Sequence, residues 1–113
     1  MTIPQPTAAP PLDCLPLIVE RIVSRFDPVR IILFGSRARG VGRPDSDVDL
    51  LVVLPQVVNK RRAAVEIRRA LNGVPVSKDV IVTTPQEIAE RGDEIGLVLR
   101  PALREGRVIY ERE

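Results

Sequence analysis

Two aspartates separated by a single residue, Asp47 and Asp49, open the most apolar run of this chain, Val48 and then Leu50 to Leu54. Side chains two apart on a strand point to one face. The pair therefore sets two like charges side by side, with Val48 turned the other way. Carboxylates crowded at the mouth of a buried strand repel each other and lose hydration. A divalent cation relieves both costs, and an all-oxygen donor set suits a hard ion such as Mg²⁺. Upstream stands Phe34-Gly35-Ser36-Arg37-Ala38-Arg39-Gly40. A strand that runs into Gly35-Ser36 and then a helical turn presents backbone N–H groups and a hydroxyl to phosphate oxygens. Gly35 lets a phosphate approach the main chain, and Arg37 and Arg39 can add charge-assisted contacts. A third acid, Asp79, lies in a later strand, Lys78 to Thr83. If that strand neighbours the one carrying Asp47 and Asp49, all three carboxylates can face one cluster and hold two Mg²⁺ ions. Such a pair of ions activates an attacking hydroxyl and stabilises a leaving oxygen in an in-line displacement.

Composition narrows the chemistry further. The chain has 113 residues, enough for one domain, and no histidine. The commonest general base and zinc ligand is therefore missing, and acid–base or metal chemistry falls to carboxylates. Cys14 is the only cysteine, so no internal disulfide is available and a reducing compartment is expected. The 17 basic and 15 acidic residues leave a net charge of +2, which does not point to nucleic acid. Aromatics are 3% of the chain, too few for a base-stacking surface. No apolar run approaches the roughly 18 residues of a membrane span, and no secretory signal is visible. A cytoplasmic protein without membrane or direct nucleic-acid contacts is the expectation.

The elements that must position these residues can be read from pattern. Residues 1–11 hold four prolines, Pro4, Pro6, Pro10 and Pro11, and read as a flexible extended arm. Residues 12–113 read as the domain. Asp13 is the expected N-cap of a helix whose apolar face is Leu15, Ile18, Val19, Ile22 and Phe26, stopped by Asp27-Pro28. Val29 to Phe34 reads as a strand, Gly35 to Asp45 as a loop, and the run to Leu54 as a central strand buried on both faces. Val57 to Leu71 is the next expected helix, closed by Asn72-Gly73. A strand over Val76 to Thr83 comes next. Thr84-Pro85-Gln86-Glu87 is a helix start with a capping box. Gly92, Gly96 and Pro101 divide the stretch from there to Gly106 into two short helices, and Arg107 to Glu111 is a final edge strand. The expected fold is α/β (α+β): a small mixed sheet of about four strands with helices packed on it. The basic cluster from Lys60 to Arg69 reads first as the wet face of an amphipathic helix. Its second reading is a docking surface for an acidic partner or RNA.

Other phosphate-binding loops do not fit the letters. No Lys-Ser or Lys-Thr stands after a GxxxxG, so the loop is not a Walker A loop. Gly40-Val41-Gly42 lacks the third glycine of a dinucleotide fingerprint and does not directly follow a strand.

Gly35-Ser36, ten residues, then Asp47-Val48-Asp49 resembles the signature of the DNA polymerase beta-like nucleotidyltransferase superfamily. The fuller match, Gly35 to Gly40 with Ser46-Asp47-Val48-Asp49-Leu50, is similar to the minimal nucleotidyltransferases. These are the MntA-like antitoxins paired with HEPN-domain toxins. The resemblance covers nearly the whole chain after the arm, including the Asp79 strand and the tail to Tyr110. It implies a nucleotidyltransferase fold and a role for each residue. Asp47 and Asp49 would bind two Mg²⁺ ions, and Asp79 would bind one of them and serve as general base. Gly35 and Ser36 would hold the β- and γ-phosphates of ATP, with Arg39 supporting the triphosphate. AMP would pass to a hydroxyl, a tyrosine of the HEPN toxin, within a hetero-oligomer. Two rival expectations stand beside this one: a non-catalytic antitoxin that neutralises its partner by complex formation, and a subunit of a split small-molecule nucleotidyltransferase.

Overall fold

The structure is a computed structural model, in which residues 14–35, 48–75, 78–92 and 99–112 are described. The Pro-rich arm, Asp13, Ser36, Arg37, Arg39 and Asp47 lie outside the described residues. Eight elements run in the order α1 (Leu15–Phe26), β1 (Arg30–Phe34), β2 (Val48–Val53), α2 (Lys60–Ala70), β3 (Lys78–Thr83), α3 (Pro85–Arg91), α4 (Leu99–Glu105) and β4 (Arg107–Glu111). The strands form one mixed sheet in the order β3-β2-β1-β4. β1 runs antiparallel to both β2 and β4, while β2 and β3 are parallel. A parallel neighbour needs a crossover, and α2 supplies it. The expected mixed sheet of four strands with packed helices is the fold observed.

Alternation along the strands builds two apolar layers. On one face Ile31, Leu33, Val48, Leu50, Val52, Val80 and Val82 pack with Ile18 and Ile22 of α1 and Ile67 and Leu71 at α2. On the other, Ile32 and Leu51 pack with Ala102 of α4, flanked by Phe34, Ile81 and Leu103. Leu50, Leu51 and Val52 are wholly buried, so β2 is covered on both sides. Each such side chain contributes roughly 1.5–3 kcal/mol through removal from water. β4 is the mostly exposed edge expected from the sequence. A register shift opposite Ile31 and Ile32 inserts Ile109, and both Ile109 and Tyr110 then pack toward the α1 layer.

The helix boundaries show local chemistry at work. α1 ends where Asp27 adopts a left-handed conformation, φ 51°, and its N–H returns to Val23 O. The Arg112 guanidinium lies 3.1 Å from Asp27 Oδ2, which helps to hold a backbone state that non-glycine residues rarely take. α1 is N-capped by Cys14 with no side-chain cap bond. α2 begins at Lys60, three residues later than Val57, because the Asn59 side chain accepts from Arg62 N–H at 3.0 Å and sets the cap there. The capping box expected at α3 forms by half. Thr84 Oγ1 accepts from Glu87 N–H at 3.1 Å, but the Glu87 carboxylate is taken by Thr83 and Lys60, both at 2.6 Å. Among the described residues, no helix is long and apolar enough to cross a membrane.

Candidate active site

β2 and β3 pair with Asp49 directly opposite Asp79, and β1 pairs with β2 so that Phe34 stands opposite Asp49. Partners in register share a face of the sheet, and neighbouring strands lie about 4.8 Å apart. Phe34, Asp49 and Asp79 therefore form one row across three strands. The next row on that face is Ile32, Leu51 and Ile81, the apolar layer that Ala102 of α4 covers. Both carboxylates thus stand at the edge of a covered patch. Asp49 is half-buried and Asp79 is exposed.

Gly35 closes the row from the β1 side. Its φ is +83°, in the left-handed region. A Cβ placed there would overlap Asp49 Oδ2 and lie 3.3 Å from its Cγ. The Asp49 carboxylate consequently rests against bare backbone, at the point where β1 turns into the segment beginning at Ser36. Only glycine serves both demands: it takes the positive φ without strain, and it leaves room for the acid.

The charges around the pair are sorted by the pleat. Lys78 precedes Asp79 and belongs to the opposite face by alternation, where its Nζ donates to Val74 O at 3.0 Å. Among the described residues, Asp79 has no hydrogen-bond or ion-pair partner. An exposed carboxylate without a partner, in register with a half-buried one, is a donor set for a hard divalent ion. Among the described residues no group of three or more acidic, histidine or cysteine side chains forms; Asp47, the third carboxylate of the sequence motif, is outside them. Ser36 and Arg39 are outside them as well. The structure thus brings Gly35, Asp49 and Asp79 together. It also adds Phe34, to which the sequence pattern assigned no role; its position directly before Gly35 was the one signal.

Val57, Val58, Lys60, Thr84 and Glu87 line a shallow polar depression at the far end of β3. There the Lys60 ammonium and then the Thr83 hydroxyl, both bonded to Glu87, hold its carboxyl below the ordinary value. This cluster ties α2 to α3 at the opposite end of the parallel strands from Asp49 and Asp79.

Residues 15–109 match the family described as nucleotidyltransferase domain. Among solved structures, the chain is similar to a Sulfolobus solfataricus protein assigned as a nucleotidyltransferase. The identity is 26% and the TM-score 0.63, over 90% of this chain and 84% of that one. A toxin–antitoxin complex of MntA and HpeT with a tyrosine-to-alanine substitution has 17% identity and a TM-score of 0.60, over 87% of this chain and 72% of that one. A toxin–antitoxin structure with AMP-PNP has 17% identity and a TM-score of 0.60, over 86% of this chain and 73% of that one. The last two likenesses concern the fold alone. No curated protein matches the chain.

Proposed function

The chain belongs to the nucleotidyltransferase domain family, and on that premise we propose that it transfers AMP from Mg²⁺-bound ATP to a hydroxyl of a partner protein. The partner is an HEPN-type toxin and the acceptor a tyrosine, so the chain acts as the antitoxin of a two-protein system. The observation that carries the chemistry is the pairing of Asp49 with Asp79 beside Gly35. The partner assignment is supported by the motif resemblance and by the fold shared with toxin–antitoxin structures, one of them solved with AMP-PNP.

Each residue has a defined task in this reading. Asp47, Asp49 and Asp79 hold the divalent ions, whose charge, when bound, lowers the pKa of an acceptor hydroxyl and stabilises a leaving phosphate oxygen. Gly35 and Ser36 bind the β- and γ-phosphates through backbone N–H groups and a hydroxyl, and Arg39 adds charge. Asp79, exposed on the outer strand, takes the proton of the acceptor hydroxyl. The hydroxyl oxygen bonds to the α-phosphorus. The bond from that phosphorus to the bridging oxygen breaks, and pyrophosphate leaves with the electron pair. Positioning and electrostatics supply most of the acceleration in such a transfer.

The test is to mix the purified chain with Mg²⁺, α-labelled ATP and the candidate toxin, then to look for label on protein. Label on the toxin that disappears in Asp47→Asn and Asp49→Asn is the expected result. A tight complex that carries no label would replace the transferase with an antitoxin acting by binding alone.

A further inference from the structure

α1 and α2 cover the face of the sheet opposite Asp49 and Asp79, and their outer sides carry a large excess of positive charge. α2 carries Lys60, Arg61, Arg62, Arg68 and Arg69 against Glu66; α1 carries Arg21 and Arg25 against Glu20. Seven cations and two anions give the two helices a net +5, whereas the whole chain is +2, so the remaining residues sum to −3. Charge is therefore segregated onto this layer.

Three of the cations are engaged within the chain. Lys60 pairs with Glu87 at 2.6 Å and Arg62 with Glu66 at 3.3 Å. Arg21 Nη1 donates to the carbonyls of Ala70, at 3.2 Å, and Asn72, at 2.6 Å, just where the last carbonyls of α2 need donors. Arg25, Arg61, Arg68 and Arg69 are exposed, and among the described residues their side chains have no hydrogen-bond or ion-pair partner. The Arg21 tie leaves a groove of about 450 Å³ between the helices, walled by Leu17, Glu20, Ser24, Arg25 and Arg69, with cations outnumbering the one acid. Two aliphatic side chains also stand open on these helices, Leu17 at 38% and Val65 at 41% exposed. Val65 lies one turn from both Arg61 and Arg69.

We propose that this outer face of α1 and α2 docks an acidic amphipathic helix of a partner protein. The helix lies along the groove as helices pack ridge into groove. Its apolar side chains cover Leu17 and Val65, and its carboxylates meet Arg25, Arg61, Arg68 and Arg69. Charge complementarity selects the occupant, and arginine forks suit paired carboxylates. A nucleic acid fits less well. Single strands bind on stacked aromatics, and none of the exposed side chains of these helices is aromatic. A phosphate backbone also makes no use of open aliphatics. Because the sheet separates this face from the carboxylate row, docking and nucleotide binding do not compete.

The probe is a synthetic helix of about 18 residues, long enough to run the length of both helices, with a leucine face flanked by glutamates. Binding to the labelled full chain is tracked by backbone amide shifts. Shifts at Leu17, Arg25, Val65 and Arg69 with a Kd of about 10–100 μM are expected. The double variant Arg25→Glu/Arg69→Glu should weaken binding at least about tenfold, and a peptide with lysine in place of glutamate should not bind. The proposal is overturned by no saturable binding at about 1 mM, by shifts that map elsewhere, or by unchanged affinity in the double variant. Single-stranded or duplex RNA that displaces the acidic helix at lower concentration would also overturn it, in favour of a nucleic-acid surface.

Discussion

The carboxylate of Asp49 lies where a side chain on Gly35 would have to be. A turn residue and a strand residue are thus mutually exclusive in volume, and the backbone of one forms a wall for the acid of the other. Gly35→Ala would impose a left-handed conformation on alanine, at about 1–2 kcal/mol, and would push the acid off its row as well. A melting temperature lower by about 5–10 °C is expected, together with, under the proposed function, a loss of AMP transfer greater than the loss of folded protein explains. Wild-type transfer by Gly35→Ala would mean that the position of Asp49 is not set by this contact.

Asp79 stands in register with Asp49 across a parallel pair, is exposed, and has no hydrogen-bond or ion-pair partner among the described residues, so its charge contributes little to folding. Asp79→Asn is therefore expected to melt close to the wild-type temperature without Mg²⁺, while under the proposed function transfer falls by at least about a hundredfold, the scale of a lost general base. Mg²⁺ with ATP should raise the melting temperature of the wild type and leave an Asp49→Asn/Asp79→Asn chain unmoved. Thermal melts with and without Mg²⁺ and ATP, beside a transfer assay, make the comparison. Equal stabilisation of the double variant would remove these acids from the ion site.

The pattern of the strands was legible because it is local. β2 announced burial on both faces through its unbroken apolar run, and the helix before β3 announced a crossover. Alternation alone placed Asp49 and Leu51 on one face. The match of Asp49 to Asp79 could be stated only as a condition, since a single sequence does not say which strands become neighbours. The bulge at Ile109 was hidden for a related reason: an extra residue shows only against its partner strand, and β4 taken alone has no break in pattern. At α3 the capping signal was correct for Thr84 and incomplete for Glu87. Lys60, 27 residues away, outcompeted the local N–H for the carboxylate, and a charge-assisted bond of that kind exceeds a local neutral one. The α2 boundary moved for the opposite reason, because a strong local cap at Asn59 overrode the apolar pattern that begins at Val57.

A buried and an exposed aliphatic side chain make a contrast in cost at similar chemistry. Leu50 is wholly buried in the layer beneath α1 and α2, while Val108 on the edge strand is 49% exposed. Leu50→Ala should destabilise by about 2–5 kcal/mol, since the rigid surroundings close only part of the cavity. Val108→Ala should stay within about 0.5 kcal/mol. Urea unfolding at constant slope gives both values. A cost below about 1 kcal/mol at Leu50 would mean that the central strand is not tightly packed beneath α1 and α2.

Glu87 supplies a dependence on pH whose sign is fixed by its partners. Lys60 first and Thr83 second hold its carboxyl below the ordinary 4.5. A depressed value in the folded chain means that the ionised form is favoured by folding. Its stabilising contribution is complete above the unfolded pKa and is lost as pH falls through the lower folded value. Glu87→Gln should therefore destabilise the protein near neutral pH by about 1 kcal/mol, reduced from a fully buried charged bond because Lys60 stands half in water. The gap between variant and wild type should shrink once pH drops below the unfolded carboxyl value and close in stronger acid, where the wild type itself carries a neutral Glu87. Urea midpoints of both proteins at neutral and acid pH measure it. A gap of the same size at both would assign the effect of Glu87 to packing between α2 and α3 rather than to its charge.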